Sequence, residues 1–205
     1  MSLHEAGRTY TARALGWISR FSIPLAVFAV SRLGLFLITY FGLILIPLAR
    51  NRQSWSVMPD NLFLDGWLRS DSLWYASIVN KGYSAAASNG QLNTAFLPFY
   101  PLVTRIVKII IPDTFIAGLV VSNVAFLVAL IVLYKLILRH YDADVAARSL
   151  VLLAVFPFSF YFSAMYTESL FLLTVVLAFY FGERQQWLLA ALAAVPPAFA
   201  HAGPH

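Results

Sequence analysis

The run from Thr114 to Tyr134 carries no charged side chain and is built mostly of Val, Leu, Ile and Phe. A second run, from Ile23 to Leu48, has Arg32 as its only charge. A helix needs about 20 mostly apolar residues to cross the hydrocarbon core of a bilayer, and both runs supply that length. They constrain the fold more than any other feature. The run from Ile23 to Leu48 is too long for a signal peptide, and no small-residue cleavage site follows it. Composition agrees: of 205 residues, 60% are hydrophobic and 11% charged, against about 25% charged in soluble domains. Mean hydropathy is +0.77. An ordinary soluble domain and a disordered chain are excluded, and with no cysteine so is a disulfide scaffold. The formal charge of +5 is scattered rather than clustered, which argues against nucleic-acid binding.

Further spans are expected downstream. Ser149 to Thr167 is uncharged but contains Pro157, and Ser169 to Gly182 is again apolar. Together they read as a helical hairpin turning near residues 163–167, with Glu168 at the membrane surface. A last apolar segment opens at Trp187 and meets Pro196–Pro197, where a helix should stop because each proline removes a donor and crowds the preceding turn. The expected fold class is all-α: one polytopic membrane domain over residues 1–205. Arg8, Arg13, Arg20, Lys135, Arg139, Arg148 and Arg184 flank the spans on one side. That places the N-terminus in the cytoplasm and residues 49–113 outside.

This outer segment of about 65 residues is rich in Trp, Tyr and Phe. Loops of such length are functional or disordered, and the aromatics argue against disorder. The pattern predicts a helix over residues 70–81, with Ser70 or Asp71 as N-cap and Gly82 as the stop. Trp74, Tyr75 and Ile78 follow Asp71 at helical spacing and form an apolar stripe. A second helix is expected over residues 98–111, with Leu102, Ile106, Ile109 and Ile110 apolar and Arg105 and Lys108 polar. Both suit helices lying in the membrane interface.

Three motifs carry a resemblance. Arg69-Ser70-Asp71-Ser72-Leu73-Trp74-Tyr75, followed by Ile78, Lys81, Gly82 and Tyr83, resembles the first outer loop of the PIG-V type mannosyltransferases. That loop holds an Arg/His-Trp-Asp motif and an aromatic helix ending in Gly-Tyr. Ala95-Phe96-Leu97-Pro98-Phe99-Tyr100-Pro101-Leu102 is similar to the family's Ala-Phe-Phe-Pro-Leu-Tyr-Pro element. Phe156-Pro157, Ser163-Ala164 and Tyr166-Thr167-Glu168-Ser169-Leu170-Phe171 resemble its third element. The likeness covers about Arg32 to Trp187. Ser70 stands where the family usually has Trp. Family members are roughly twice as long, so the expectation is a fragment, a truncated member or a frameshifted end.

The resemblance implies a GT-C type glycosyltransferase. Such an enzyme takes mannose from dolichyl- or polyprenyl-phosphate mannose and passes it to a glycan or lipid-linked acceptor outside the membrane. No metal or cofactor is implied beyond this donor. Inverting transfer needs a carboxylate to take the acceptor's proton and a cation to stabilise the departing phosphate. Asp71 is the expected base. Arg69, Lys81, Arg105 and Lys108 are phosphate candidates, with Arg105 ahead because it follows the second element. Trp74, Tyr75 and Tyr100 are candidates for stacking on sugar or lining the lipid groove, and Glu168 for binding substrate. The four histidines lie apart without ligand spacing. The outer loop has no Asn-X-Ser/Thr, which agrees with a bacterial plasma membrane rather than the endoplasmic reticulum.

Plainer readings stand beside these. Asp71 is equally a helix cap, Asp65 a turn residue, Glu168 a helix-end charge, and the aromatics interface anchors. Arg105 and Lys108 suit lipid headgroups. Arg32 is expected to snorkel or to be capped by neighbouring spans. Two other classes compete with the enzyme: a non-catalytic remnant of one, and a transporter. A transporter would gather its ionisable groups near the midplane and show repeated halves.

Overall fold

The computed structural model describes residues 3–46, 57–58, 60–83, 93–96 and 98–198. Among these the chain is all-helical. Helix α1 spans Leu3–Leu45, α2 Leu62–Asp65, α3 Asp71–Lys81, α4 Phe99–Val107, α5 Thr114–Ile137, α6 Ala143–Val155, α7 Glu168–Glu183 and α8 Trp187–Ala198. Two short 3₁₀ turns lie at Asn93–Ala95 and Pro157–Phe162.

Among the described residues two stretches are long and apolar enough to cross a membrane, Phe21–Leu45 of α1 and Thr114–Ile137. The expected hairpin differs. Its first arm stops at Val155, ahead of Pro157. Proline lacks the donor a continuing helix needs, and its ring disfavours the helical conformation at Phe156, which is extended with ψ 138°. The chain then makes the 3₁₀ turn and an irregular stretch before α7. Neither α6 at 13 residues nor α7 at 16 reaches spanning length. The expected stop at Pro196–Pro197 is also corrected: α8 runs through both to Ala198. Proline's fixed φ is itself helical, and so near a helix end only the last donors are lost.

Helix α5 is the hub, packing against α1, α3, α4, α6 and α7, while α8 packs on α7. Asp113 starts it, accepting from the Phe115 and Ile116 amides at 2.9 Å each. One core gathers Trp67, Leu68, Tyr75, Tyr100, Leu119, Met165 and Leu170 at the α3–α4 end. A second gathers Phe126, Leu130, Tyr134, Leu150 and Ala154 along α5 and α6. Gly118 admits Met165 into the first: a Cβ there would lie 2.6 Å from the Met165 Cγ.

The exterior is apolar, and several polar side chains lie inside among the apolar cores. Large apolar side chains such as Val30, Leu33, Ile38, Leu152, Phe158 and Phe179 face outward, each more than 60% exposed. Arg32, Asp65, Ser122, Ser159, Ser163 and Ser169 are buried.

Candidate functional site

The site lies where the start of α3 meets the segment leading into α7. Helix α3 matches the expected helix closely and ends at Gly82, whose φ of 80° favours glycine. Ser70 occupies the N-cap position without capping through its side chain. Its hydroxyl lies 3.3 Å from the Asp71 carboxylate instead. Ser70 also holds a positive φ of 51°, a strained value for a residue with a Cβ. Asp71 is therefore the first helical residue, at the end where the helix dipole favours negative charge.

Residues 163–167 bring the second acid to this helix. The Met165 amide donates to the Trp67 carbonyl at 3.3 Å, and the Ser72 hydroxyl to the Met165 carbonyl at 3.4 Å. The Tyr166 hydroxyl donates to the Arg69 carbonyl at 3.0 Å. Glu168 then opens α7, half-buried. Burial pushes the Tyr75 hydroxyl above its ordinary pKa; Thr167 hydrogen bonding opposes this, and the negative charges of Glu168 and Asp71 add to it. The Tyr166 phenol is raised first by burial and next by Asp71, with Ser70 hydrogen bonding opposing. Asp71, Glu168, Tyr75 and Tyr166 thus share one electrostatic neighbourhood. Tyr166 was not among the residues singled out for a site from sequence, although it stands two positions before Glu168. A tyrosine carries no sign of which carbonyl it will reach.

The other expected residues separate into different roles. Trp74, half-buried, stacks on Phe96 with ring centroids 5.8 Å apart and sits one turn from Asp71. Tyr100 is fully buried, its hydroxyl donating to the Gly118 carbonyl at 2.8 Å and lying 3.0 Å from Ser122 Oγ. Burial raises its pKa too, and its geometry is that of a packing residue. Arg105 donates from Nε to the Val79 carbonyl at 3.0 Å, and from Nη2 to the Ile78 and Val79 carbonyls at 3.0 and 2.8 Å. It thereby caps carbonyls of the last turn of α3, that of Ile78 also accepting the Gly82 amide at 2.9 Å. Lys108 Nζ donates to Asn80 Oδ1. Lys81 is exposed on the last turn of α3.

Arg69 pairs with Asp65 at 3.2 Å. Asp65 is buried rather than a surface turn residue, and it also accepts the Val57 and Met58 amides at 2.8 and 3.0 Å. Arg69 Nε has no hydrogen-bond partner. The same arginine lines a groove of about 290 Å³ together with Thr39, Gly42, Leu43, Ile46 and Gly66. Among the described residues no group of three or more His, Asp or Glu side chains comes together to hold a metal ion.

Arg32 lies deeper and is capped by its neighbours. It donates to the Ala154 and Ser159 carbonyls at 3.0 Å each and to Ser163 Oγ at 2.9 Å. Its guanidinium carbon lies 4.5 Å from the Phe126 ring centre. Ser163 Oγ in turn donates to Asn123 Oδ1 at 3.0 Å, and Asn123 Nδ2 returns to the Ser163 carbonyl at 3.1 Å. The break between α6 and α7 is held by this network. No protein-family model, curated protein or solved structure matches the chain.

Proposed function

We propose that the chain is an integral membrane glycosyltransferase with its N-terminus in the cytoplasm, similar in its motifs to the PIG-V type enzymes. It transfers a sugar, mannose by that similarity, from a polyprenyl-phosphate donor to a hydroxyl of a glycan or lipid-linked acceptor at the outer face. The supporting observation is that Asp71 and Glu168, from motifs far apart in sequence, both act on the Tyr75 hydroxyl, with Tyr166 tying the two motifs through the Arg69 carbonyl. The apolar exterior, with Arg32 and Asp65 held inside, supports lipid surroundings.

In the proposed step the Asp71 carboxylate takes the acceptor hydroxyl's proton as that oxygen bonds to the anomeric carbon. The bond from that carbon to the lipid phosphate breaks, and its electron pair leaves with the phosphate. Arg69 is the preferred phosphate partner. It stands two residues from Asp71, retains an unbonded Nε–H, and lines a groove whose apolar walls suit the donor's prenyl chain. Arg105, with its donors committed to the end of α3, falls behind it. Trp74 offers a ring face beside Asp71, and Glu168 offers an acceptor for sugar hydroxyls.

The test is transfer from radiolabelled polyprenyl-phosphate mannose in membranes carrying the chain or its Asp71→Asn variant. Transfer that falls at least about a hundredfold in the variant is expected. A folded chain that transfers nothing, or an unimpaired variant, overturns the reading.

A further inference from the structure

The end of α5 far from Asp71 holds a pocket that the proposed transfer does not use. It measures about 460 Å³ and is lined by Phe21, Tyr134, Lys135, Arg139, Tyr180 and Arg184. Lys135 stands 21 positions after Thr114, so at helical rise the pocket lies about 30 Å along α5 from the start of that helix. We propose that this pocket binds the phosphate headgroup of an anionic phospholipid. The inference rests on the reading of the chain as membrane-embedded and is independent of any transfer activity.

Charge is the first argument. Three cations line the pocket, and among the described residues one of them, Arg139, is paired with a carboxylate. Glu183 takes Arg139 Nε on one oxygen at 3.1 Å and faces His140 Nε2 with the other at 2.7 Å. Among the described residues Lys135 and Arg184 form no ion pair. Each instead lies over an aromatic ring: Lys135 Nζ is 4.7 Å from the Phe21 ring centre and the Arg184 guanidinium carbon 4.9 Å from that of Tyr180. Such contacts hold a cation in place without neutralising it. An anion entering the pocket meets Lys135 and Arg184, two positioned cations that no described carboxylate pairs.

Depth is the second argument. In sequence Arg20 precedes the apolar stretch of α1, and the apolar stretch of α5 ends at Ile137. Lys135, Arg139 and Arg184 therefore sit where the hydrocarbon would give way to headgroups, with Tyr134 and Tyr180 at the level aromatic residues favour. On the exterior beside them, Leu25 and Phe179 are 46% and 65% exposed and would meet acyl chains. A basic pocket between helices at this depth suits a phosphodiester whose chains stay in the bilayer.

The test uses the full chain reconstituted into phosphatidylcholine vesicles doped with spin-labelled phosphatidylglycerol or spin-labelled phosphatidylcholine. The motionally restricted fraction of each label gives a selectivity ratio. The native chain should prefer the anionic lipid, and the Lys135→Gln/Arg184→Gln double variant should lose that preference about tenfold. Lys135→Arg/Arg184→Lys should restore it. Arg148→Gln removes one charge near the same end but outside the pocket and should keep it. Equal restriction of both labels by the native chain overturns the proposal, as does a loss in Arg148→Gln matching that of the double variant. Displacement of the label by inorganic phosphate, but not by chloride at equal ionic strength, overturns the lipid assignment in favour of a soluble phosphate. A chain that fails to enter neutral vesicles at all overturns the membrane reading itself, an outcome distinct from the others.

Discussion

The Tyr166 hydroxyl donates to the Arg69 carbonyl at 3.0 Å across 97 positions of sequence. This bond ties the segment before α7 to the residue before Ser70, and so fixes Glu168 relative to Asp71. Burial on both sides excludes water from Trp67, Ser72, Ala164 and Met165 around it. The first acid is held by a helix start, the second by a fold-spanning contact.

Tyr166→Phe should therefore cost more in transfer than in stability. Loss of one hydrogen bond of this kind is expected to lower stability by about 1 kcal/mol. Transfer should fall mainly in kcat, because the misplaced group acts on positioning. Thermal unfolding and steady-state kinetics on the same preparation check this. A variant with native kcat would show that the tie does not position the acids.

Arg32 holds the break after α6. Arg32→Leu leaves the Ser159 carbonyl without its donor, while the Ala154 carbonyl keeps the Ser159 hydroxyl at 2.8 Å. The expected loss is about 3 kcal/mol, seen as a lowered unfolding temperature in detergent. Arg32→Lys keeps the charge but not the planar fork and should fall between the two. A leucine variant as stable as the native chain contradicts the network's role.

Ser70 carries backbone strain at a φ of 51°. Ser70→Gly removes the Cβ that opposes this conformation and should stabilise the chain by about 1 kcal/mol. It also removes the hydroxyl beside Asp71. The expected outcome is a raised unfolding temperature with reduced transfer. An unchanged or lowered temperature would argue that the strain is absent in solution.

Tyr75, Tyr100 and Tyr166 all have pKa values raised above the ordinary 10.0, chiefly by burial. Their folded forms hold the proton more tightly than the unfolded chain. Above pH 10 the unfolded state then binds fewer protons, and stability falls as pH rises. A tyrosinate absorbance titration should show these phenols silent past pH 10 until the chain unfolds. The triple Tyr→Phe variant should lose none of that early absorbance. Early ionisation of all three would contradict their burial.

Helix α3 was legible almost to the residue, because Asp71, Trp74, Tyr75 and Ile78 repeat at helical spacing and Gly82 ends the pattern. Helix α5 was legible from its uncharged run. The helix expected over residues 98–111 shortens to Phe99–Val107, since periodicity fixes a helix more firmly than its ends. The hairpin was misread because an apolar run shows hydrophobicity but not continuity. Pro157 and the carbonyls turned toward Arg32 break it. The four-residue helix α2, with Asn61 as its cap, was too short to leave a periodic signal.

The sequence by itself determined which stretches are apolar enough for lipid, where α3 begins and ends, and which side chains have the chemistry for transfer. These are local properties, set by side-chain type and by spacing along a helix. Only the tertiary structure decided which of those side chains are available. It buried Tyr100 in the core, spent Arg105 on the end of α3, paired Arg69 with a buried Asp65, and put Tyr75 within the electrostatic reach of both Glu168 and Asp71. The physical reason is that a hydrogen-bonding group takes the partner packing brings to it, and packing here joins segments almost a hundred residues apart.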